Sequence, residues 1–433
     1  MALKRLLLSL TTFVLIIASL VVLTADRTAN VAPTSQKNTQ ASASGAKQAN
    51  VYLSTSSTSI TALNATTGAT LWTFRPGSYV DPPTTIKQIV YAYVLRPLDT
   101  LYALNLSTGS TLWTFHPDGL LNLPVFNNAV YVTVDSAISS STTLYKLDAT
   151  TGATIWTFQP GVPLSSSALI SKGVAYITSA NVGPIYALQA SNGKQLWQFQ
   201  PTGGQLTADE VVGGVLYVDE PGPEYSFGVL FAYSIKDRSL LWSTDARLWT
   251  VVNNITYVEG GTYANPEMCA LNSVSGTQRW CIPGYKLIVA DGLAYITTDT
   301  TAFTVFNASN GMQVWSTNQN QFVTLNQGVV YTVNANHAVE ARKATNGALL
   351  WDSSDTNGIA TTFLIANGKI YADSANHTAL YSLDATNGAL RWSFSLSSGV
   401  SSLTIAHGII LILTYNNTIY ALQASNGKLL WQH

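Results

Sequence analysis

The sequence predicts an all-β ring of four-stranded antiparallel sheets, and three observations carry that prediction. A tryptophan recurs ten times, at Trp72, Trp113, Trp156, Trp197, Trp242, Trp280, Trp315, Trp351, Trp392 and Trp431, with gaps of 35 to 45 residues. In nine copies a glycine lies four residues earlier, as in Thr67-Gly68-Ala-Thr-Leu-Trp72. A fixed period of this size signals a solenoid, propeller or array. Between the tryptophans, short apolar runs alternate with Gly- and Asn-bearing turns, the pattern of β-hairpins. No window outside the N-terminus sustains a helical 3.6-residue period. Four short strands per repeat is the formula of a β-propeller blade, so ten repeats predict one propeller over residues 50–433.

Taken in order, the chain opens with Lys4-Arg5 and then an uncharged apolar run from Leu6 to Ala25. Such a run is long enough to cross a bilayer as a helix, and the two cations place its start in the cytoplasm. A cleaved signal peptide is the other reading; the length of the run and Leu23 before a cut at Ala25 favour the anchor. Either way the remainder is expected outside the cytoplasm, membrane-attached through residues 6–25 or secreted. Residues 26–49 are almost free of large apolar side chains and read as a disordered tether. Residues 51–74 supply only three strands, so the first blade is expected to be incomplete. Residues 322–354 show the full pattern: Phe322–Asn326, Val329–Val333, Val339–Lys343 and a fourth strand opening at Ala348-Leu-Leu-Trp351. The fifth repeat is the most degenerate, with Lys236-Asp-Arg238 in place of the Thr-Gly turn. The docking tryptophans read as structural members that lie against the next blade.

Charged residues are only 10% of the chain, far below the usual quarter. Residues 51–433 hold 16 basic and 21 acidic side chains, a mildly acidic balance that excludes a nucleic-acid footprint. The two cysteines, Cys269 and Cys281, flank one repeat turn. In a hairpin they face each other, and export favours a disulfide; buried reduced thiols are the alternative. The five histidines are scattered, and no metal-ligand spacing is present.

The segments Ala62-Leu-Asn64-Ala-Thr-Thr67-Gly68-Ala-Thr-Leu-Trp72, Leu147-Asp148-Ala-Thr-Thr151-Gly152-Ala-Thr-Ile-Trp156 and Ala187-Leu-Gln-Ala-Ser-Asn-Gly193-Lys-Gln-Leu-Trp197 resemble the tryptophan-docking repeat of the pyrroloquinoline-quinone propeller superfamily. The resemblance covers residues 51–433 and implies either a quinone-dependent dehydrogenase or a cofactor-free scaffold of the BamB type. Eight blades are usual there, and ten motifs are a departure. Dehydrogenases of this kind imply a vicinal cysteine pair, a Ca²⁺ site and an aspartate base. Here the cysteines are twelve apart, no carboxylate is singled out for acid–base work, and gaps of 35–45 residues leave no space for long insertions. The expectation is therefore a noncatalytic scaffold with no cofactor; pyrroloquinoline quinone and Ca²⁺ belong to the alternative, an oxidoreductase.

Strands alternate in direction, so second-to-third-strand loops and blade-to-blade connections emerge on one face. These are the irregular loops, and binding concentrates in such loops on rigid scaffolds. Two stand out beside the polar stretch 135–142. Asp219-Glu220-Pro-Gly-Pro-Glu224-Tyr225-Ser-Phe227 is acidic and tipped with aromatics, and Glu259-Gly-Gly-Thr-Tyr263-Ala-Asn-Pro-Glu267 follows one repeat later. Together with Trp249, which stands outside the ten-fold pattern, they form the candidate binding face. It is expected to take a protein partner or a polysaccharide at the cell envelope; a lectin-like propeller is a further alternative. Solvated loop charge and packing of Trp249 between blades are the bland readings of the same residues.

Overall fold

The turn between the third and fourth strands sets the geometry of every repeat. In the computed structural model Asn64 Oδ1 accepts the N–H groups of Thr66 and Thr67 at 2.9 and 3.0 Å, and Gly68 N–H donates to the Asn64 carbonyl. Such Asx turns are why Asn or Asp opens the motif. Asn105 and Asn307 cap their turns in the same way, so these Asn-x-Ser/Thr sequences have a structural cause. The glycine at the turn has positive φ, 72° at Gly68 and 69° at Gly109. It must also be bare: a Cβ on Gly109 would lie 2.5 Å from the Trp72 ring. The indole of one blade thus lies flat on the turn of the next, and Trp72 Nε1–H donates to the Leu106 carbonyl at 2.8 Å.

The structure describes residues 20–22 and 51–433, except 57, 96–98, 123–124, 127–128, 137–138, 224–225, 300–301, 319 and 354–357. They form ten antiparallel sheets, each of four strands in sequential order, with one extra short strand, Gly119–Leu121, in the third. We number these blades 1 to 10 along the chain. The first blade, expected to be incomplete, gains its innermost strand from Leu20–Val22, which pairs with Val51–Ser56. The membrane-spanning segment expected over residues 6–25, apart from Leu20–Val22, and the polar tether expected over residues 26–49 lie outside the described residues. Among the described residues no helix is long and apolar enough to cross a membrane.

Within a sheet, three residues in register repeat across the strands. Tyr91 faces Ala103, which faces Trp113; the small central residue leaves room for the turn of the next blade between two aromatic rings. Tyr91 O–H and Trp113 Nε1–H both donate to Ala149 carbonyl of blade 3. The apolar cores therefore lie between sheets. Leu53, Ile60, Ala62 and Trp72 of blade 1, for example, pack on Val80, Val90, Ala92 and Leu104 of blade 2.

The ring closes. Trp431 of blade 10 lies on Gly68 of blade 1, where a Cβ would come within 2.6 Å of the indole, and donates to the Ala65 carbonyl at 2.8 Å. Leu63 and Ala65 share a buried cluster with Leu411, Ala421 and Trp431. The ten-blade reading holds without merging or detaching a repeat. Nine of the ten indoles bond to a turn carbonyl of the following blade. The exception is Trp197, which meets the degenerate turn of blade 5, where Arg238 adopts φ 64° in the glycine's place.

Two outcomes follow for chemical denaturation. Trp431→Ala removes a buried indole and its bond at the closing seam and lowers stability by about 3–5 kcal/mol. Arg238→Gly relieves a left-handed side-chain-bearing residue and raises stability by about 1 kcal/mol, whereas a loss on this substitution would contradict the docking account of blade 5.

Candidate binding crown on blades 5 and 6

The second and third strands of blade 6 run for eight residues each, Ile255–Thr262 and Asn265–Asn272, against six in blade 5, Val215–Glu220 and Val229–Ser234. Pairing continues to Thr262 and Asn265, so the hairpin turns at Tyr263-Ala264 beyond the end of its neighbour. Gly261 allows this tight approach; a Cβ there would meet the Asn265 carbonyl at 2.4 Å. Tyr263 is 54% exposed at the tip. Its ring lies 4.6 Å, centroid to centroid, from Phe227 in the blade 5 loop.

Arg247, at the start of the innermost strand of blade 6, completes this crown. Its guanidinium lies 5.3 Å from the Phe227 ring centroid, a cation–π distance. Its Nε donates to Glu259 Oε2 at 2.6 Å, and Nη2 makes a second contact with the same oxygen. Glu259 is buried, at 4% exposure, while half of the arginine side chain faces solvent. Glu220 turns the other way, toward the connection from blade 4, where its Oε1 accepts Gly204 N–H at 2.7 Å. Glu267 shares the sheet face of Cys269, which packs toward blade 5.

Beneath the crown lies a carboxyl pair. Asp209 is the extra residue of a β-bulge in the innermost strand of blade 5, and Asp219 stands on the adjoining strand. Bulges of this kind re-aim a side chain, and here the two acids are directed at each other. Burial, followed by the hydrogen bond and charge of Asp219, pushes Asp209 up to about 8. Asp219 is also raised by burial, but Asp209, Leu248 N–H and Arg247 stabilise its ionised form. The pair therefore holds a proton that two separated aspartates would have lost. One oxygen of each acid, Asp209 Oδ2 and Asp219 Oδ1, is buried with no hydrogen-bond partner.

Of the residues singled out by sequence, the structure brings Asp219, Phe227, Glu259 and Tyr263 into one constellation, with Glu267 on the same hairpin. Glu224 and Tyr225 lie outside the described residues. Trp249 is the bulge residue of its own strand; its Nε1–H donates to the Leu287 carbonyl at 2.8 Å and its ring packs against the core between blades 6 and 7. Cys269 and Cys281 face each other across the third and fourth strands and form a disulfide at the base of the projecting hairpin. The sequence reading missed Arg247 and Asp209. A lone arginine in Asp245-Ala-Arg247-Leu and an acidic pair breaking the apolar alternation of Thr207-Ala-Asp209-Glu210-Val-Val were the available signals.

The repeat position of Asp219, two residues after the inner tyrosine, holds a carboxylate twice more, Glu259 in blade 6 and Asp373 in blade 9. Asp373 is wholly buried; its Oδ2 accepts Val400 N–H of blade 10 at 3.2 Å and pairs with His377 Nδ1 at 2.5 Å. Thr133 and Thr178 use the same position to donate to the Ser166 and Leu206 carbonyls of the following blades. This position is a second interblade tie, and in blade 5 the acid pair occupies it.

The fold and this crown define a closed, tryptophan-docked β-propeller with an elaborated loop face on two adjacent blades. A family model described as outer membrane protein assembly factor BamB matches residues 27–139, 100–243, 140–280, 244–376 and 335–433, and the chain belongs to that family. A search of curated proteins finds no match. Among solved structures the chain is similar to the crystal structure of BamB from Moraxella catarrhalis, with 16% identity over 78% of this chain and 95% of that one and a TM-score of 0.37. It is also similar to the computationally designed Ika8 protein (14% identity, 79% and 96% coverage, TM-score 0.37). A europium-containing methanol dehydrogenase matches at 13% identity over 74% of this chain and 80% of that one, with a TM-score of 0.36.

The acid pair has a measurable signature. Asp209 is raised from an ordinary value of 3.8 to about 8, so folded protein holds a proton that unfolded chain has lost between those limits. Stability from this group is present at low pH and falls as pH rises toward about 8. Asp209→Asn keeps a hydrogen-bond donor without the titration. Its melting temperature should match wild type near pH 4 and exceed it at pH 8; parallel curves would contradict the pairing.

Proposed function

We propose that this protein is a noncatalytic scaffold that works outside the cytoplasm at the cell envelope and binds a protein partner through the crown on blades 5 and 6. The observation that carries the reading is the convergence of Phe227, Tyr263 and the Arg247–Glu259 pair from two loops onto one exposed surface. Aromatic and arginine side chains held rigid on a scaffold are the residue types that dominate protein interfaces. The scaffold character of the BamB family supports a protein partner over a polysaccharide. The two cysteines, bonded across strands twelve residues apart, depart from the vicinal pair that the resemblance to quinone dehydrogenases implies.

Attachment to the membrane through residues 6–25 is part of this proposal. Pairing of Leu20–Val22 in blade 1 is a competing use of the same residues, and alkaline extraction of host membranes separates the two: an anchored protein stays in the pellet.

The test of the partner is site-specific photocrosslinking in the native host. A benzophenone amino acid at Tyr263 should give a discrete protein adduct, while the same probe at Tyr415, 67% exposed on blade 10, should not. Equal labelling at both positions, or none at Tyr263, would sink the assignment. Saturable binding of pyrroloquinoline quinone with Ca²⁺, accompanied by dye-linked alcohol oxidation, would replace it with an oxidoreductase.

A further inference from the structure

The partner's chemistry can be read from the charge around the aromatic pair. At the loop end of blades 5 and 6, the described acids Asp209, Asp219, Glu220, Asp245, Glu259 and Glu267 outnumber two cations, Arg247 and, at the connection to blade 7, the exposed Lys286. Lys236 and Arg238 belong to the turn between the third and fourth strands, at the opposite end of blade 5. Arg247 is ion-paired with Glu259 and also lies in the field of Asp219. Asp209 and Asp219 share a proton, yet with Glu220, Asp245 and Glu267 the acids still outnumber the cations. Blades 5 and 6 thus join a local acidic excess to a pair of aromatic rings on one face.

The rings are already arranged to receive a cation. One face of Phe227 carries the Arg247 guanidinium, and the neighbouring Tyr263 is the most exposed aromatic among the described residues of the two blades. A positive group over tyrosine gains from the ring quadrupole, and nearby carboxylates add Coulomb attraction that is strongest at low ionic strength. An acidic partner would instead bring its charges against Glu267, with Lys286 and the neutralised Arg247 to meet them. Potentials complementary across an interface favour association and exclude wrong partners.

We infer that the crown receives a lysine- or arginine-bearing segment of the partner protein, with a basic side chain set on Tyr263 and flanked by Glu267. The inference rests on the scaffold reading above and names the partner's chemistry.

The test uses the purified full chain and two fluorescent octapeptides, one alternating Arg with Gly and one alternating Glu with Gly. The arginine peptide should bind with an anisotropy change that weakens as salt rises from 50 to 500 mM, and the glutamate peptide should not bind. Tyr263→Ala should weaken binding about fivefold, and Glu267→Gln severalfold, with unchanged melting temperatures because both residues are exposed. Absence of arginine-peptide binding, equal affinity for both peptides, or indifference to both substitutions would overturn the inference. A Tyr263 photoadduct mapped to a partner segment without Lys or Arg would also overturn it while leaving the scaffold reading intact. No protein adduct at Tyr263 would remove both.

Discussion

The structure depends on one interaction, an indole laid on the glycine turn of the following blade. Each blade presents a tryptophan on its outer strand and, in all but blade 5, a bare turn to its predecessor, so the apolar clusters are shared by two sheets. No blade buries a core alone, and stability resides in seams between neighbours, as in other repeat proteins. The ends of the chain meet by the same means. Trp431 reaches Ala65, 366 residues away in sequence, and blade 10 is built wholly from C-terminal strands. Closure is therefore a docking event without strand exchange between the termini.

This dependence explains what could be read from the sequence. Docking uses particular residue types at fixed spacing: glycine to admit the indole, tryptophan four residues later and, in six of the ten turns, an opening Asn or Asp. All three are local, so blade count and strand order were legible. The crown was only partly legible because its convergence depends on how two neighbouring loops project from the ring. Phe227 and Tyr263 were visible as aromatic residues in irregular loops. Arg247 was not, since its role arises from an ion pair across two strands and a ring on another blade. Asp209 was hidden for a similar reason: a bulge aims it at Asp219, and strand alternation does not announce a bulge. The innermost strand of blade 1 was missed because Leu20–Val22 is separated from its partner by a long polar stretch and sits in a run whose hydropathy suits a bilayer.

The crown coincides with the place where the repeat is least regular. Blade 5 lacks the docking glycine, carries a strained Arg238 and keeps a buried carboxyl pair with orphaned oxygens. Each departure costs stability, and buried acids with displaced protonation cluster at functional sites. Blade 6 adds the reinforcement. Its disulfide spans twelve residues, and closing a loop of that size contributes about 3 kcal/mol by the chain-entropy model. It also fixes the third strand of the projecting hairpin to the outer strand, so Tyr263 stands on a braced arm.

Ring closure by docking is most directly tested by measuring the distance between the first and last blades in solution. Spin labels at Thr66 and Ser425, in the third-to-fourth-strand turns of blades 1 and 10, report on that seam through double electron–electron resonance. A docked ring predicts a single narrow distance distribution that broadens and lengthens when Trp431 is replaced by alanine. A broad distribution in the otherwise native protein, or one unaffected by loss of the indole, would contradict it.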